Sequence, residues 1–148
     1  MIIKVENLQK SFGDNHVLTD INAEIEENEV ISIIGTSGSG KSTFAKILNR
    51  LLVPIEGTII IDDMDAMDED NERNIRKKVG MVFQNPDDQI IGSIVAEDVA
   101  FGAENLSVPH YKLWERVLTA VERAGLVVNG NKLADMVGRR INELSGGE

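Results

Sequence analysis

The sequence contains no cysteine, which excludes disulfide bonds and every metal site built on thiolates. It also lacks an apolar run near the roughly 18 residues that a membrane-spanning helix needs, and its first ten residues, MIIKVENLQK, hold no signal-peptide core. Basic residues are scarce, since 15 Lys and Arg stand against 25 Asp and Glu, for a net charge of −10. Such an acidic surface disfavours broad binding to nucleic acid or anionic membranes. We therefore predict a cytosolic protein with no nucleic-acid partner.

The 148 residues, of which 42% are hydrophobic, are enough for one domain with a substantial core. Two runs, EVISII at 29–34 and VGMVFQ at 79–84, are nearly continuous in apolar residues, which is typical of strands buried on both faces of a parallel sheet. Further strands are predicted at 2–8, 16–26 and 57–62, and helices at 44–51, 68–78, 93–105, 109–125 and 131–136. The pattern predicts a strand-rich part over residues 1–92 and a helical part over 93–148.

The stretch GTSGSGKST, residues 35–43, lies between EVISII and an amphipathic helical pattern. Gly35, Gly40, Lys41 and Ser42 fit the P-loop spacing, a Gly, four residues and then Gly-Lys-Ser. Glycines allow backbone N–H groups to point inward around an anion, and the helix that follows adds its positive dipole end. Lys41 can reach the outer phosphates and the Ser42 hydroxyl can bind Mg²⁺. Because kinases, GTPases, helicases and transport ATPases all use this loop, a small P-loop kinase stays open at this point.

Two later motifs narrow the choice. Gln84 ends the run VGMVFQ, and LSGGE occupies residues 144–148. A P-loop, a glutamine after a strand and Leu-Ser-Gly-Gly, in this order, resemble the ATP-binding-cassette (ABC) ATPases, whose signature usually reads LSGGQ. Within that family, VFQNPDDQIIGSIVAEDVAFG at 82–102 resembles the ATPases of energy-coupling-factor importers, which take up vitamins or transition-metal ions. A cassette protein that acts in translation or repair is the remaining alternative.

The resemblance implies roles for individual residues. Phe12 would stack on adenine. Gln84 would contact Mg²⁺ or the attacking water, and its loop would sense a membrane partner. The signature residues would contact the γ-phosphate of ATP held by the other ATPase subunit. The implied nucleotide contacts are Phe12, Gly35, Thr36, Ser37, Gly38, Ser39, Gly40, Lys41, Ser42, Thr43, Gln84, Ser145, Gly146 and Gly147. Lys41 and Gln84 would be the catalytic residues, and Ser42 and Gln84 the Mg²⁺ ligands.

The resemblance also implies an architecture and a setting. The expected fold is α/β, a P-loop core with an antiparallel strand layer followed by a helical subdomain. The expected cofactors are ATP and Mg²⁺. The expected partners are a second ATPase subunit, a transmembrane coupling subunit and a substrate-binding membrane component, at the cytoplasmic face of the cell membrane.

This sequence departs from the family pattern in two ways. The signature has Glu148 where glutamine is usual. No Walker B strand with its Asp-Glu pair follows the signature, so the sequence resembles the N-terminal part of a longer ATPase, truncated before Walker B. We expect the 148 residues alone to hydrolyse ATP weakly or not at all, because the general base and the second Mg²⁺-binding carboxylate are missing.

Overall fold

A computed structural model describes residues 1–85, 88–126 and 133–144. The chain divides into two compact units, Met1–Val82 and Phe83–Glu148. The sequence pattern instead predicts a boundary after residue 92. The difference concerns residues 83–92, which include Gln84 and which group with the helical unit in the structure.

The first unit is built on one antiparallel sheet. Its strands are β1 (Ile3–Phe12), β2 (Asn15–Ile25), β3 (Glu56–Ile61) and β4 (Met64–Asp65), in the order β2-β1-β3-β4. Gly13, at φ 59°, turns the chain between β1 and β2. Asp62 and Asp63, with φ of 48° and 62°, form the tight turn between β3 and β4. The antiparallel strand layer predicted from the sequence is therefore present.

Two helices contribute to the core of this unit, α1 (Lys41–Leu48) and α2 (Glu72–Lys78). Phe44 and Ile47 from α1 are buried, and α2 contributes Ile75, which is fully buried although the rest of that helix is polar. Burial of apolar surface of this kind is the main favourable term in folding. The buried core residues are Val5, Leu8, Leu18, Phe44, Ile47, Ile59, Ile61, Ala66 and Ile75.

The buried side chain of Arg50 lies just beyond the end of α1. Its Nη1 donates to the backbone carbonyl of Ala66 and to that of Asp68, the latter at 3.1 Å. Its Nη2 lies 3.6 Å from a carboxylate oxygen of Glu72. Because Ala66 directly follows β4, this arginine fastens the end of α1 to the edge of the sheet.

Two strand predictions are wrong, because residues 29–34 and 79–84 are not strands. A β-strand is held by hydrogen bonds to a neighbouring strand, and no described residue pairs with either run. Several of their apolar side chains are exposed, most of all those of Val30, Ile34 and Val82, whereas Val79 packs partly against the core of the first unit. The first helix is also shorter than predicted, since α1 ends at Leu48 and leaves Leu51 exposed beyond it.

The second unit is helical, as the sequence predicts. It contains α3 (Val95–Asn105), α4 (His110–Arg123) and α5 (Leu133–Val137). An isolated antiparallel bridge joins Ile94 to Arg140. The buried core residues of this unit are Val95, Val117, Val121, Met136 and Val137. In the described ranges, no helix is long and apolar enough to cross a membrane.

Candidate phosphate-binding site

The loop at residues 35–40 leads directly into α1, as its spacing predicts. Gly38 and Gly40 have φ of 80° and 88°, in the left-handed region that favours glycine. Among the backbone N–H groups of residues 35–40, only the Ser39 N–H donates to an acceptor in the described part of the chain. That acceptor is the Thr36 carbonyl oxygen, at 3.3 Å. The other N–H groups, and the free N–H groups at the start of α1, are available to an anion. The backbone here fits a phosphate group.

Lys41 places its ammonium group within this loop. The Nζ atom donates to the carbonyl oxygens of Gly35 and Thr36, at 2.9 and 2.6 Å, and lies 3.3 Å from the Ser39 hydroxyl. These contacts hold a positive charge in the centre of the loop, where N–H groups and the N-terminus of α1 also favour negative charge. One cation and several donors thus converge on one small volume, which is the chemistry that a polyphosphate requires.

A side chain at either of two glycines of the loop would meet other atoms, at Gly35 a rotatable hydroxyl and at Gly40 the sheet itself. A Cβ atom at Gly35 would lie 2.6 Å from the Ser39 hydroxyl oxygen. A Cβ atom at Gly40 would lie 2.8 Å from the Leu18 side chain and 3.0 Å from the Val17 carbonyl oxygen, both on β2. The loop therefore lies directly against β2 at Gly40.

A cavity of about 240 Å³ adjoins the loop. Its lining residues are Val17, Gly38, Ser39, Gly40, Lys41, Ser42 and Thr43. Val17 was absent from the residues predicted for the site. It is an ordinary apolar residue of β2 in the sequence, and only the contact between β2 and the loop brings it there. Ser42 and Thr43 line the same cavity, in agreement with their position in the motif.

Phe12 ends β1, pairs with Asn15 across the hairpin, and remains 49% exposed. Next to it, the Ser11 hydroxyl and the His16 Nδ1 lie 2.8 Å apart, within hydrogen-bonding distance, and join β1 to β2 at the same end. An exposed aromatic ring at the end of a hairpin can stack on a planar base. The role of Phe12 in adenine binding stays a prediction.

Gln84 is exposed and belongs to the second unit, so its predicted contact with Mg²⁺ also stays a prediction. Residues 91–93, further along the chain, are fixed to the start of α3. One Asp98 carboxylate oxygen accepts from the N–H groups of Ile91 and Gly92 at 2.7 and 3.0 Å, and Glu97 accepts from Ser93 at 3.1 Å. These bonds account structurally for the Glu-Asp pair in EDVAFG.

The signature residues Ser145, Gly146 and Gly147, together with Glu148, lie outside the described residues. Leu144 is described, and its N–H donates to the Ile141 carbonyl at 3.0 Å. Among the described residues, no group of three or more His, Asp or Glu side chains is arranged to hold a metal ion.

Comparison with known proteins defines the class to which this fold and loop belong. The family model described as ABC transporter matches residues 18–148, and the chain belongs to that family. This result favours the cassette interpretation over the small kinase that the P-loop alone left open.

Two curated relatives are more specific. The chain is 44% identical over 130 residues to the energy-coupling factor transporter ATP-binding protein EcfA1 of Caldanaerobacter subterraneus, a match that covers 84% of this chain and 47% of the relative. It is 39% identical over 151 residues to EcfA1 of Clostridioides difficile, covering 99% of this chain and 52% of the relative. The chain thus spans about half the length of the curated relatives it matches.

Comparison with solved structures indicates the same family. The fold resembles cbiO1 from Clostridium perfringens, described as part of the ABC transporter complex cbiONQ, with a TM-score of 0.79 and 34% identity over 97% of this chain and 55% of that one. It also resembles the ATP-binding cassette MJ0796, a dimer bound to ADP and Pi, with a TM-score of 0.74 and 30% identity over 98% of this chain and 64% of that one. The predicted fold class, a P-loop ABC ATPase core with a helical subdomain, is confirmed.

Proposed function

We propose that this chain forms the nucleotide-binding part of an energy-coupling-factor-type ABC ATPase, which binds and hydrolyses ATP to drive uptake of a vitamin or metal ion. The observation that supports it most directly is the loop at 35–40, where the Lys41 ammonium donates to the Gly35 and Thr36 carbonyls at the N-terminus of α1. The similarity to EcfA1 proteins supports the particular type of transporter.

In this proposal different residues bind different parts of the nucleotide. Residues 35–43, the Walker A loop, bind the phosphates through backbone N–H groups and Lys41. Phe12 stacks on adenine, and Val17 adds apolar contact beside the loop. Ser42 and Gln84 would hold Mg²⁺, which would neutralise phosphate charge.

The proposed partners follow from the same resemblance. Ser145, Gly146 and Gly147 would contact ATP bound to a second ATPase subunit, so that two subunits close on each nucleotide and exclude water. The loop after Gln84 would contact a transmembrane coupling subunit, which works with a substrate-binding membrane component. The chain would then act at the cytoplasmic face of the membrane as a peripheral protein.

The test of nucleotide binding compares two lysines of α1. Lys41→Ala removes the charge inside the loop, whereas Lys46→Ala removes a charge from the same helix outside the lining of the cavity. Loss of a charge-assisted contact to phosphate should cost about 2–3 kcal/mol, which weakens ATP binding roughly 30- to 150-fold. Lys46→Ala should change affinity less than about threefold. Affinity is measured by titration calorimetry, and turnover by phosphate release from the intact protein.

Equal affinity and turnover in Lys41→Ala and the unmodified protein would refute the phosphate site. The transport assignment needs a separate experiment, in which the intact protein is purified from membranes and its companions are identified. Recovery of a transmembrane subunit with a bound vitamin or metal ion would support it, whereas recovery of ribosomes would favour the role in translation.

A further inference from the structure

The ring of Phe12 is exposed at the end of the β1–β2 hairpin, and one charged side chain of its own strand lies over it. The Nζ atom of Lys10 is 5.2 Å from the centroid of the Phe12 ring. Residues two apart on a strand point to the same face, and the lysine lies over the ring although the pairing register with β2 shifts between Lys10 and Ser11. An ammonium within about 6 Å of an aromatic face is attracted to it.

Lys10 is also tied to a different part of the unit. Its Nζ donates to the carbonyl oxygen of Val53 at 2.6 Å. Val53 lies in the segment between α1 and β3, and the same segment is fastened to β1 by the Ile55 N–H, which donates to the Gln9 carbonyl at 2.9 Å. The lysine is therefore held at its tip, and this bond restricts its side chain more than that of a free surface lysine.

Together these contacts determine how the ring can be used. Lys10 covers one face of Phe12 and leaves the opposite face for a planar ligand. It also connects the ring to the segment that follows α1, the helix that begins with Lys41 of the phosphate loop. These contacts restrict the ring before a nucleotide binds, which lowers the cost of ordering it on binding.

We propose that Lys10 is a positioning residue for the nucleotide base: it holds Phe12 with one face covered and the other presented to adenine. This inference rests on the proposed function, because it assumes that the loop at 35–43 binds the phosphates. Lys10 itself acts through Phe12 and the Val53 carbonyl. It therefore affects binding of the base and leaves binding of the phosphates unchanged.

The experiment measures the affinity of the protein for two ligands, ATP and inorganic tripolyphosphate, which lacks the base. Lys10→Met keeps the aliphatic stem and removes the charge, and it should weaken ATP binding roughly three- to tenfold while tripolyphosphate binding stays within about twofold. Lys10→Arg keeps the charge and should recover most of the ATP affinity. Lys4→Met removes a half-buried cation from the same strand, where it pairs with Glu6, and should leave both affinities unchanged.

A double variant tests whether Lys10 affects ATP binding through the Phe12 ring. In a Phe12→Ala background, Lys10→Met should have no further effect on ATP affinity, because the ring that it positions is gone. The proposal is overturned if Lys10→Met leaves ATP affinity unchanged, weakens both ligands equally, or adds its full effect to that of Phe12→Ala. Lys10→Gln, with thermal melts of all variants, provides a second neutral substitution if Lys10→Met fails to fold.

Failure of the proposed function gives a different result. The phosphate site is refuted if the unmodified protein binds neither ligand, or if Lys41→Ala binds tripolyphosphate as well as the unmodified protein does. In either case the proposed role of Lys10 is refuted as well. If tripolyphosphate binding depends on Lys41 but ATP affinity is unchanged by Lys10→Met, only the positioning role of Lys10 is refuted.

Discussion

Two apolar segments of the first unit, β3 and residues 30–34, have similar sequences but differ in burial and in strand pairing. In β3, Ile59 is 0% exposed and Ile61 is 2% exposed. In the other segment, Val30 is 95% exposed and Ile34 is 93% exposed. Both contain runs of β-branched residues that favour strands. The difference between them is the neighbourhood, because β3 pairs with β1 on one side and with β4 on the other, and residues 30–34 pair with no described strand.

This comparison shows what a hydrophobic pattern can and cannot specify. Period and residue type identify a segment that would be stable in a sheet, but the hydrogen bonds that make it a strand come from another segment. An exposed apolar segment with free backbone groups is also a route to aggregation. The chain spans about half the length of its curated relatives, and its segment at 30–34 directly precedes the phosphate loop.

The largest expected effect compares one isoleucine from each segment. Ile59→Ala removes fully buried methyl groups from the core and should lower the free energy of unfolding of the 148-residue chain by about 3–4 kcal/mol. Ile34→Ala removes an exposed side chain and should change it by less than about 0.5 kcal/mol. Urea unfolding followed by circular dichroism gives both values. Similar losses for the two variants would mean that residues 30–34 are packed in solution, and the contrast between the segments would fail.

The second prediction concerns the contacts by which Arg50 holds the segment after β4, the edge strand next to β3. Arg50→Met keeps an unbranched apolar stem and removes the donors to the Ala66 and Asp68 carbonyls, so the buried Ala66 acceptor loses its partner. We expect a loss of about 2–3 kcal/mol of unfolding free energy. Arg50→Lys keeps the charge without the forked guanidinium and should recover less than half of the loss. An Arg50→Met protein as stable as the original would show that β4 and β3 need no support from α1.

The smallest effect separates two glycines of the phosphate loop, which follows the unpaired segment. Gly40→Ala forces a left-handed residue to accept a Cβ atom and pushes that atom against Leu18, for a loss of about 2 kcal/mol. Gly38→Ala meets the same backbone cost with no atom within 4 Å, for a loss of about 1 kcal/mol. Thermal melts of both variants measure the difference. Equal melting temperatures would indicate that the loop does not rest on β2.

The sequence predicted most of the elements that are stable by local pattern. The β1–β2 hairpin, α3 and α4 all form where periodicity, Gly13 and Pro109 indicate. The loop that leads into α1 was located from the spacing of four residues, and its role in phosphate binding stays a prediction. The strands at 29–34 and 79–84 were predicted wrongly, because their pairing depends on segments that the pattern of each run does not contain.

What the sequence by itself determined is the class of site and the family to which the chain belongs. The order of the P-loop, Gln84 and LSGGE is linear information, and the chemistry of glycine, lysine and serine at fixed spacing needs no neighbour to be recognised. Only the tertiary structure brought Val17 to the phosphate loop and placed the Lys10 ammonium between Phe12 and the Val53 carbonyl. These contacts join residues far apart in the chain through strand register and close packing, and no local pattern encodes that proximity.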